Sequence, residues 1–283
     1  MEALMDRDLT GAQSVDRALK LLSMVGRQGE RGLGLAEAVE ASGINKPTAR
    51  RLLLALMRAG LVHQAETDRR YYLGEEAYIL GTLASPRFGL LRLAMPSLTR
   101  LASKTADSTF LSVRRGAISV CLHREEGTFP IRTHALQVGY EHPLGAGAGS
   151  LAMLAALPDD EMEAVMKTNA PVMEARYPLL TPQELRRHLA LARTRGYAVN
   201  PGLILANSWG VGVAVRHPDG SVAGAISIAA IDSRMQPPRQ GELGQLLMAE
   251  AVLVEAALAE RFDRPGSMAR PAAPTPAKRR SFK

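Results

Sequence analysis

Three groups of residues in this 283-residue chain are of types that could do chemistry. The first is the run GAGAGS at residues 145–150, which precedes a helix-like stretch as phosphate loops do. It departs from G-x-G-x-x-G because Ser150 stands where the last glycine belongs, and it lacks the Walker lysine. It departs from the nucleophile elbow G-x-S-x-G as well, since Ala152 follows Leu151. What survives is physical: bare backbone at Gly147, Ala148 and Gly149 lets a ligand approach, and free N–H groups at a helix start attract an anion. Close packing of a helix on a sheet would account for the same residues. The second group is Cys121 and His123, which share a strand face at i, i+2 and would begin a metal site. Two ligands do not make one, and His134 and His142 have no spacing that brings them near. A structural cysteine and a half-exposed histidine are the favoured reading. His188, on a charged helix, and His217, beside a turn, read as solvated. No pair of carboxylates and no Ser/His/Asp order stands out as catalytic, so no enzyme activity, metal or cofactor is expected.

The third group is basic. In GINKPTARRLLLALMRAGLV, residues 43–62, Ala49, Leu52, Leu53 and Leu56 form one helical stripe that packs inward. Pro47, Arg50, Arg51, Leu54 and Arg58 fall on the opposite face. Asn45 is placed to cap the helix, Pro47 suits its first turn, and Gly60 supplies the stop. A helix that reads DNA has this design, with residues near its start on base edges and flanking charges on phosphates. In isolation the same pattern would describe a solvated basic face; the elements around it favour DNA.

Upstream, residues 14–25 read as a helix capped by Ser14, with Val15, Ala18, Leu19 and Leu22 on one stripe. Residues 35–43 read as a second helix closed by Gly43. The turn to the basic helix has the length used in helix-turn-helix units. Downstream, β-prone runs at 61–64 and 71–73 flank a polar tip, a hairpin with Arg69 and Arg70 at its wing. Asn45, Lys46, Pro47, Thr48, Arg50, Arg51, Arg69 and Arg70 are therefore the candidate DNA contacts. A helix over 74–86 should end at Ser85-Pro86 and leave a linker. A helix over 90–106, kinked near Pro96, then precedes a hairpin turning at Arg115-Gly116. Thr181, Pro182 and Glu184 have a capping-box arrangement. Two strands meet at Pro218-Asp219-Gly220, and a long amphipathic helix closes the domain. Strands and helices alternate without a dinucleotide fingerprint, which indicates an antiparallel α/β sensor domain.

The ordered set SVDRALKLL, LAEAVEASGINKPTARRLLLALMRAGLV and RRYYLG resembles the amino-terminal domain of the IclR family of bacterial transcriptional regulators. GYEHPLGAGAGSLAMLAAL, RGYAVNPG and GSVAGAISIAAIDSRM resemble its effector-binding domain, so the likeness spans residues 14–261. It implies an α+β protein with an N-terminal winged helix-turn-helix domain and a C-terminal GAF-like α/β effector-binding domain. The boundaries are 11–74 for DNA binding, 75–87 for a linker helix, 88–261 for the effector domain and 262–283 for a disordered basic tail. It also implies sequence-specific binding to double-stranded operator DNA, response to a small-molecule, carboxylate-containing effector, and a homodimer or dimer of dimers. Family members that bind a small carboxylate use the glycine-loop backbone, an acid after GY-x-V, a later polar residue and two serines of an S-x-S strand. Here those positions are Gly147, Ala148 and Gly149, then Asn200, Gly210, Ser227 and Ala229. Three of them have lost a polar group or charge, which implies a larger, partly apolar acid walled by Leu203, Ile204, Leu205 and Trp209. The alternative is a metabolite-binding protein or enzyme with a vestigial DNA-binding domain.

Net charge is a poor guide here. Of the overall +7, the seven basic residues and one acidic residue from 261 to 283 account for six charges. The DNA argument rests instead on residues 43–72, with six basic against two acidic residues. The tail, rich in Pro, Ala, Lys and Arg, cannot bury a core and reads as disordered. It adds salt-sensitive attraction to DNA or only solubility. The start, MEALMDRDLT, lacks an apolar signal core and no uncharged run spans a bilayer, so no membrane association and a cytoplasmic location are expected. A single cysteine permits no internal disulfide.

Overall fold

In the computed structural model, which describes residues 12–133 and 136–262, the first helix is α1 (Gln13–Arg27). Its inward residues are Leu21 and Val25, with Ala18 and Leu22 packed beside them. Val15 and Leu19, expected to face inward, are 56% and 52% exposed. Ala18, Leu21, Leu22 and Val25 keep the i, i+3, i+4, i+7 rule, so two overlapping stripes satisfied the same period and packing chose one. Ser14 lies inside the helix, and the cap position is Ala12, without a side-chain cap.

Helices α2 (Leu35–Ser42) and α3 (Lys46–Arg58) form the helix-turn-helix, joined through Gly43. Asn45 caps α3: its Oδ1 accepts the Thr48 N–H at 3.0 Å, and Pro47 sits in the first turn where no intrahelical N–H is needed. Ala49, Leu52, Leu53 and Leu56 are buried against Leu21, Val25, Ala38 and Ile44. Fully burying one leucine stabilises by roughly 1.5–3 kcal/mol, so the α3 leucines fix how its other face is presented. The wing is β1 (Val62–Gln64) antiparallel to β2 (Tyr71–Leu73).

Helix α4 (Glu75–Phe88) does not stop at Ser85-Pro86 as expected; it runs through both residues, and α5 (Leu90–Thr105) follows after Gly89 with Pro96 inside it. A proline lacks only its own N–H and restricts its predecessor, which makes it a weaker stop than a glycine in left-handed geometry.

A six-stranded antiparallel sheet forms the C-terminal domain. Its strands are β3 (Ser108–Arg115), β4 (Ile118–Glu125), β5 (Glu141–Pro143), β6 (Ala198–Pro201), β7 (Ser208–Arg216) and β8 (Val222–Ile231), in spatial order β5-β4-β3-β8-β7-β6. Three helices connect β5 to β6: α6 (Ala148–Ala155), α7 (Asp159–Arg176) and α8 (Pro182–Arg195). The last helix is α9 (Arg239–Phe262). Leu111, Val211, Val213, Ile226 and Ile228 bury one sheet face against Leu98 and Leu101 of α5 and Leu247 and Val254 of α9. Leu151 and Leu154 of α6 pack with Leu185 and Leu189 of α8 over the other. Thr181 caps α8, accepting the Glu184 N–H at 3.2 Å, but the reciprocal half of the expected capping box is replaced by a Glu184 carboxylate bonded to Arg187.

Gly11, the His134 expected to stay apart from Cys121, and tail residues 263–283 lie outside the described residues; Phe262 completes α9. Among the described residues no helix is long and apolar enough to cross a membrane.

Candidate functional site

The exposed face of α3 begins at its N-terminus. Asn45, Lys46, Pro47, Arg50 and Arg51 are exposed and Thr48 is half-buried. No ion pair involves Lys46, Arg50 or Arg51 among the described residues. These cations are held out by a helix whose other side is locked into the core, and among the described residues no carboxylate pairs with them.

The two wing arginines differ. Arg69 is exposed at the hairpin tip in left-handed geometry, φ +59°, where its carbonyl accepts from Gln64 Nε2 at 2.7 Å. Asp68 braces the tip, accepting the Arg70 N–H at 2.9 Å and the Tyr72 hydroxyl at 2.8 Å. Those bonds, the backbone one first, hold its carboxyl below the usual range. Arg70, expected to reach DNA, turns inward. Its guanidinium donates to the Arg31 and Gly32 carbonyls and to Glu37 Oε2 at 2.7 Å. Its Nε and Nη2 donors are committed within the domain.

The second site is a cavity on the α6 side of the sheet, enclosing about 600 Å³ of space that is partly open to solvent. All seven positions carried over from the family resemblance line it, Gly147, Ala148, Gly149, Asn200, Gly210, Ser227 and Ala229, and so does Trp209. Small residues make it possible. A Cβ on Gly212 would lie 2.6 Å from the Ala148 carbonyl carbon, so only glycine lets α6 sit this close to β7. Gly147, at φ +90°, turns the chain into α6. The loop itself is tied down by Ser150, whose hydroxyl accepts the Gly145 N–H at 2.9 Å and donates to the Pro143 carbonyl at 3.2 Å. Ser150 is thus a loop brace with no nucleophile's surroundings. The first-turn N–H groups of α6 have no intrahelical acceptor and no acidic side chain beside them, an arrangement suited to an anion.

Four apolar residues were expected as a wall; Ile204 and Trp209 line the cavity, but Leu203 packs into the neighbouring core and Leu205 is 49% exposed. Phe110 and Leu136 supply apolar surface instead. Sequence reasoning also missed Ser112, Ser119, Thr133 and His142, which make the cavity more polar than the substitutions at Asn200, Gly210 and Ala229 implied. The available signal was weak: Ser112 and Ser119 are single polar residues beside apolar neighbours in strands that carry other polar residues too. Asn200 uses its Oδ1 to accept the Leu203 N–H at 3.3 Å.

The remaining titratable groups are structural. Cys121 is buried and its thiol is pushed up to about 12, chiefly by burial. A bulge in the β3–β4 register sets Cys121 opposite Ser112 and His123 opposite Leu111, which interrupts the simple alternation expected of that pair. His123 contacts Glu125 at 3.1 Å. His188 is buried, not solvated, and burial is the main cause that lowers its pKa. His217 is half-buried. Among the described residues no three His, Cys, Asp or Glu side chains converge as a metal site would require.

Residues 83–255 match the family described as bacterial transcriptional regulator IclR, C-terminal, and residues 14–66 match the IclR helix-turn-helix domain. The chain is similar to the transcriptional repressor AllR of Klebsiella pneumoniae, with 27% identity over 256 residues, 88% of this chain and 90% of that protein. It is similar in structure to an IclR transcriptional regulator from Alicyclobacillus acidocaldarius, at 25% identity and a TM-score of 0.73, covering 87% of this chain and 99% of that one. An IclR homologue from Microbacterium hydrocarbonoxydans, solved in complex with 4-hydroxybenzoate, shares the fold at 22% identity and a TM-score of 0.71, covering 87% and 98%.

Proposed function

This chain belongs to the IclR family of bacterial transcriptional regulators, and we propose from that premise how its residues bind DNA and sense an effector. Residues 11–74 form the DNA-reading unit, α4 connects, and the effector unit starts at α5. The start of α3 enters the major groove, with Arg50 and Arg51 on base edges and Lys46 and Thr48 on the backbone. Arg69 tracks phosphate or minor groove. One such helix reads only a few base pairs, so the active form is a homodimer or a dimer of dimers on paired half-sites. The exposed apolar side chains Val15 and Leu19 of α1 and Tyr78 and Leu83 of α4 support that reading, because they flank the DNA-binding unit without cover among the described residues.

The effector is a carboxylic acid whose anionic end sits on the α6 N–H groups at Ala148 and Gly149, with Ser227 and Asn200 beside it and Trp209 and Ile204 against its carbon. The observation that carries this reading is the convergence of eight residues, spread over more than 80 positions of sequence, on one cavity at a helix N-terminus. The 4-hydroxybenzoate of the Microbacterium homologue is an acid of this class. No reaction is assigned to the protein: the relatives it matches are regulators.

The test is a mobility-shift titration on DNA upstream of its own gene, with and without aromatic acids, using wild-type protein and Ala148→Trp. The substitution should fill the cavity, abolish the response to acids and preserve operator binding. A normal acid response in that variant would place the effector elsewhere.

A further inference from the structure

The cavity contains a second polar end. Ser227 on β8, Ser112 on β3, Ser119 on β4 and His142 on β5 occupy four adjacent strands, and all four line it. Ser119 and His142 are direct partners in the β4–β5 register. Ser112, Ser119 and Ser227 are 3%, 5% and 6% exposed, and none of their hydroxyls has a hydrogen-bond partner among the described residues. Their oxygens open into the cavity, so a ligand that enters it can satisfy them.

His142 is preset for such a role. Its Nδ1 lies 2.9 Å from the Tyr177 hydroxyl. Among the described residues Tyr177, which is buried, has no other hydrogen-bond partner; with its O–H donating to Nδ1, the neutral ring carries its proton on Nε2. Burial and Arg176 keep the ring's pKa low, so it is uncharged at neutral pH.

The charges of the lining decide the ligand's two ends. Among the described residues no Asp, Glu, Lys or Arg lines the cavity. The helix start is therefore its single anion-attracting feature, and the β4–β5 end offers only neutral donors and acceptors. A second carboxylate would find no cation there, and an amine no carboxylate. We infer that the effector is an extended monocarboxylic acid bearing a hydroxyl at its far end, and that Ser119 and His142 bind this hydroxyl. The hydroxyl accepts from His142 Nε2–H and donates to Ser119 Oγ. Ser227 pairs with Phe110 and Ser119 with Arg114 on β3, so the two serines lie two strands apart and four residues apart along the strands, roughly 16 Å between their Cα atoms, which suits a ring plus a short spacer better than a ring alone. This assignment rests on the cavity reading above.

The experiment is calorimetric titration of the full chain with cinnamate, 4-hydroxycinnamate and 4-hydroxybenzoate. The wild type should bind 4-hydroxycinnamate about tenfold more tightly than cinnamate, the value of one or two well-made hydrogen bonds, and more tightly than 4-hydroxybenzoate. Ser119→Ala should bring the two cinnamates to within about twofold of each other while leaving cinnamate affinity unchanged. His142→Phe should do the same, with thermal unfolding confirming that each variant folds. Equal binding of both cinnamates by the wild type, lost in Ala148→Trp, overturns the hydroxyl site and leaves the cavity reading intact. Binding that survives Ala148→Trp overturns the cavity reading itself. Binding of neither cinnamate overturns the proposed ligand class.

Discussion

Arg70 Nη2 lies 2.7 Å from Glu37 Oε2, so the wing of the DNA-binding domain is pinned to the second helix by an arginine that sequence alone would assign to DNA. Glu37 in turn accepts the Gly34 N–H at 3.1 Å and pairs with Arg31 at 2.9 Å. One carboxylate thus ties together the start of α2, the preceding turn and the wing.

Acid should loosen this tie. The Arg70 hydrogen bond, then the Gly34 N–H, hold the Glu37 carboxyl at about 2 against an ordinary 4.5. A group whose folded pKa is depressed contributes stability that is present above pH 4.5 and is lost as the pH falls toward 2. Glu37→Gln should lower the urea midpoint at pH 7 and narrow its gap to wild type at pH 3. The pair is solvent-accessible, so the effect is modest. An equal gap at both pH values would detach the stabilisation from the charge.

The wing arginines should separate in DNA binding. Arg69→Ala should weaken binding to specific and unrelated sequences alike and reduce the salt slope by about one. Arg70→Ala should leave that slope unchanged and lower the unfolding midpoint instead. Fluorescence anisotropy across a salt series distinguishes them, and a loss of slope in the Arg70 variant would show that its pairing opens on DNA.

On α3, Arg50 and Arg51 carry sequence choice. Losing a bidentate arginine–guanine contact costs roughly 1–3 kcal/mol of discrimination. The double alanine variant should retain wild-type circular dichroism and lose preference for operator over unrelated DNA. Retained preference would move base reading to other residues.

A buried carboxylate fastens the effector domain. Asp107, with its side chain 2% exposed, sits 2.8 Å from Arg234 Nε and 2.6 Å from Arg239 Nη2. Both arginines also donate to the Thr105 carbonyl at 3.0 Å, and the Arg234 guanidinium stacks 3.9 Å over the Phe129 ring. The cluster joins the end of α5 to the start of α9. Asp107→Ala leaves two partly buried cations without their carboxylate partner and should cost about 3 kcal/mol, read from denaturant unfolding at neutral pH. A loss below about 1 kcal/mol would be that of an ordinary surface pair.

What the sequence determined was local. The Asn45 cap reaches three residues to Thr48, the leucine stripe of α3 recurs within each turn, and Pro218-Asp219-Gly220 turns one strand into the next. Each is settled by backbone geometry within a few positions, so each could be read before any tertiary contact was known. The glycine loop and the small residues facing it were legible only through family likeness, because spacing alone fitted packing and ligand binding equally. Tertiary structure decided the rest. The inward face of α1 depended on which of two overlapping stripes met α3. The fate of Arg70 depended on a carboxylate 33 residues away. The polar end of the cavity depended on bringing β5 into register with β4, and β4 through β3 beside β8, which places His142 and Ser227 in one cavity. Such pairings join segments of distant sequence, and hydrophobic burial selects them from many sterically allowed alternatives without leaving a local signature.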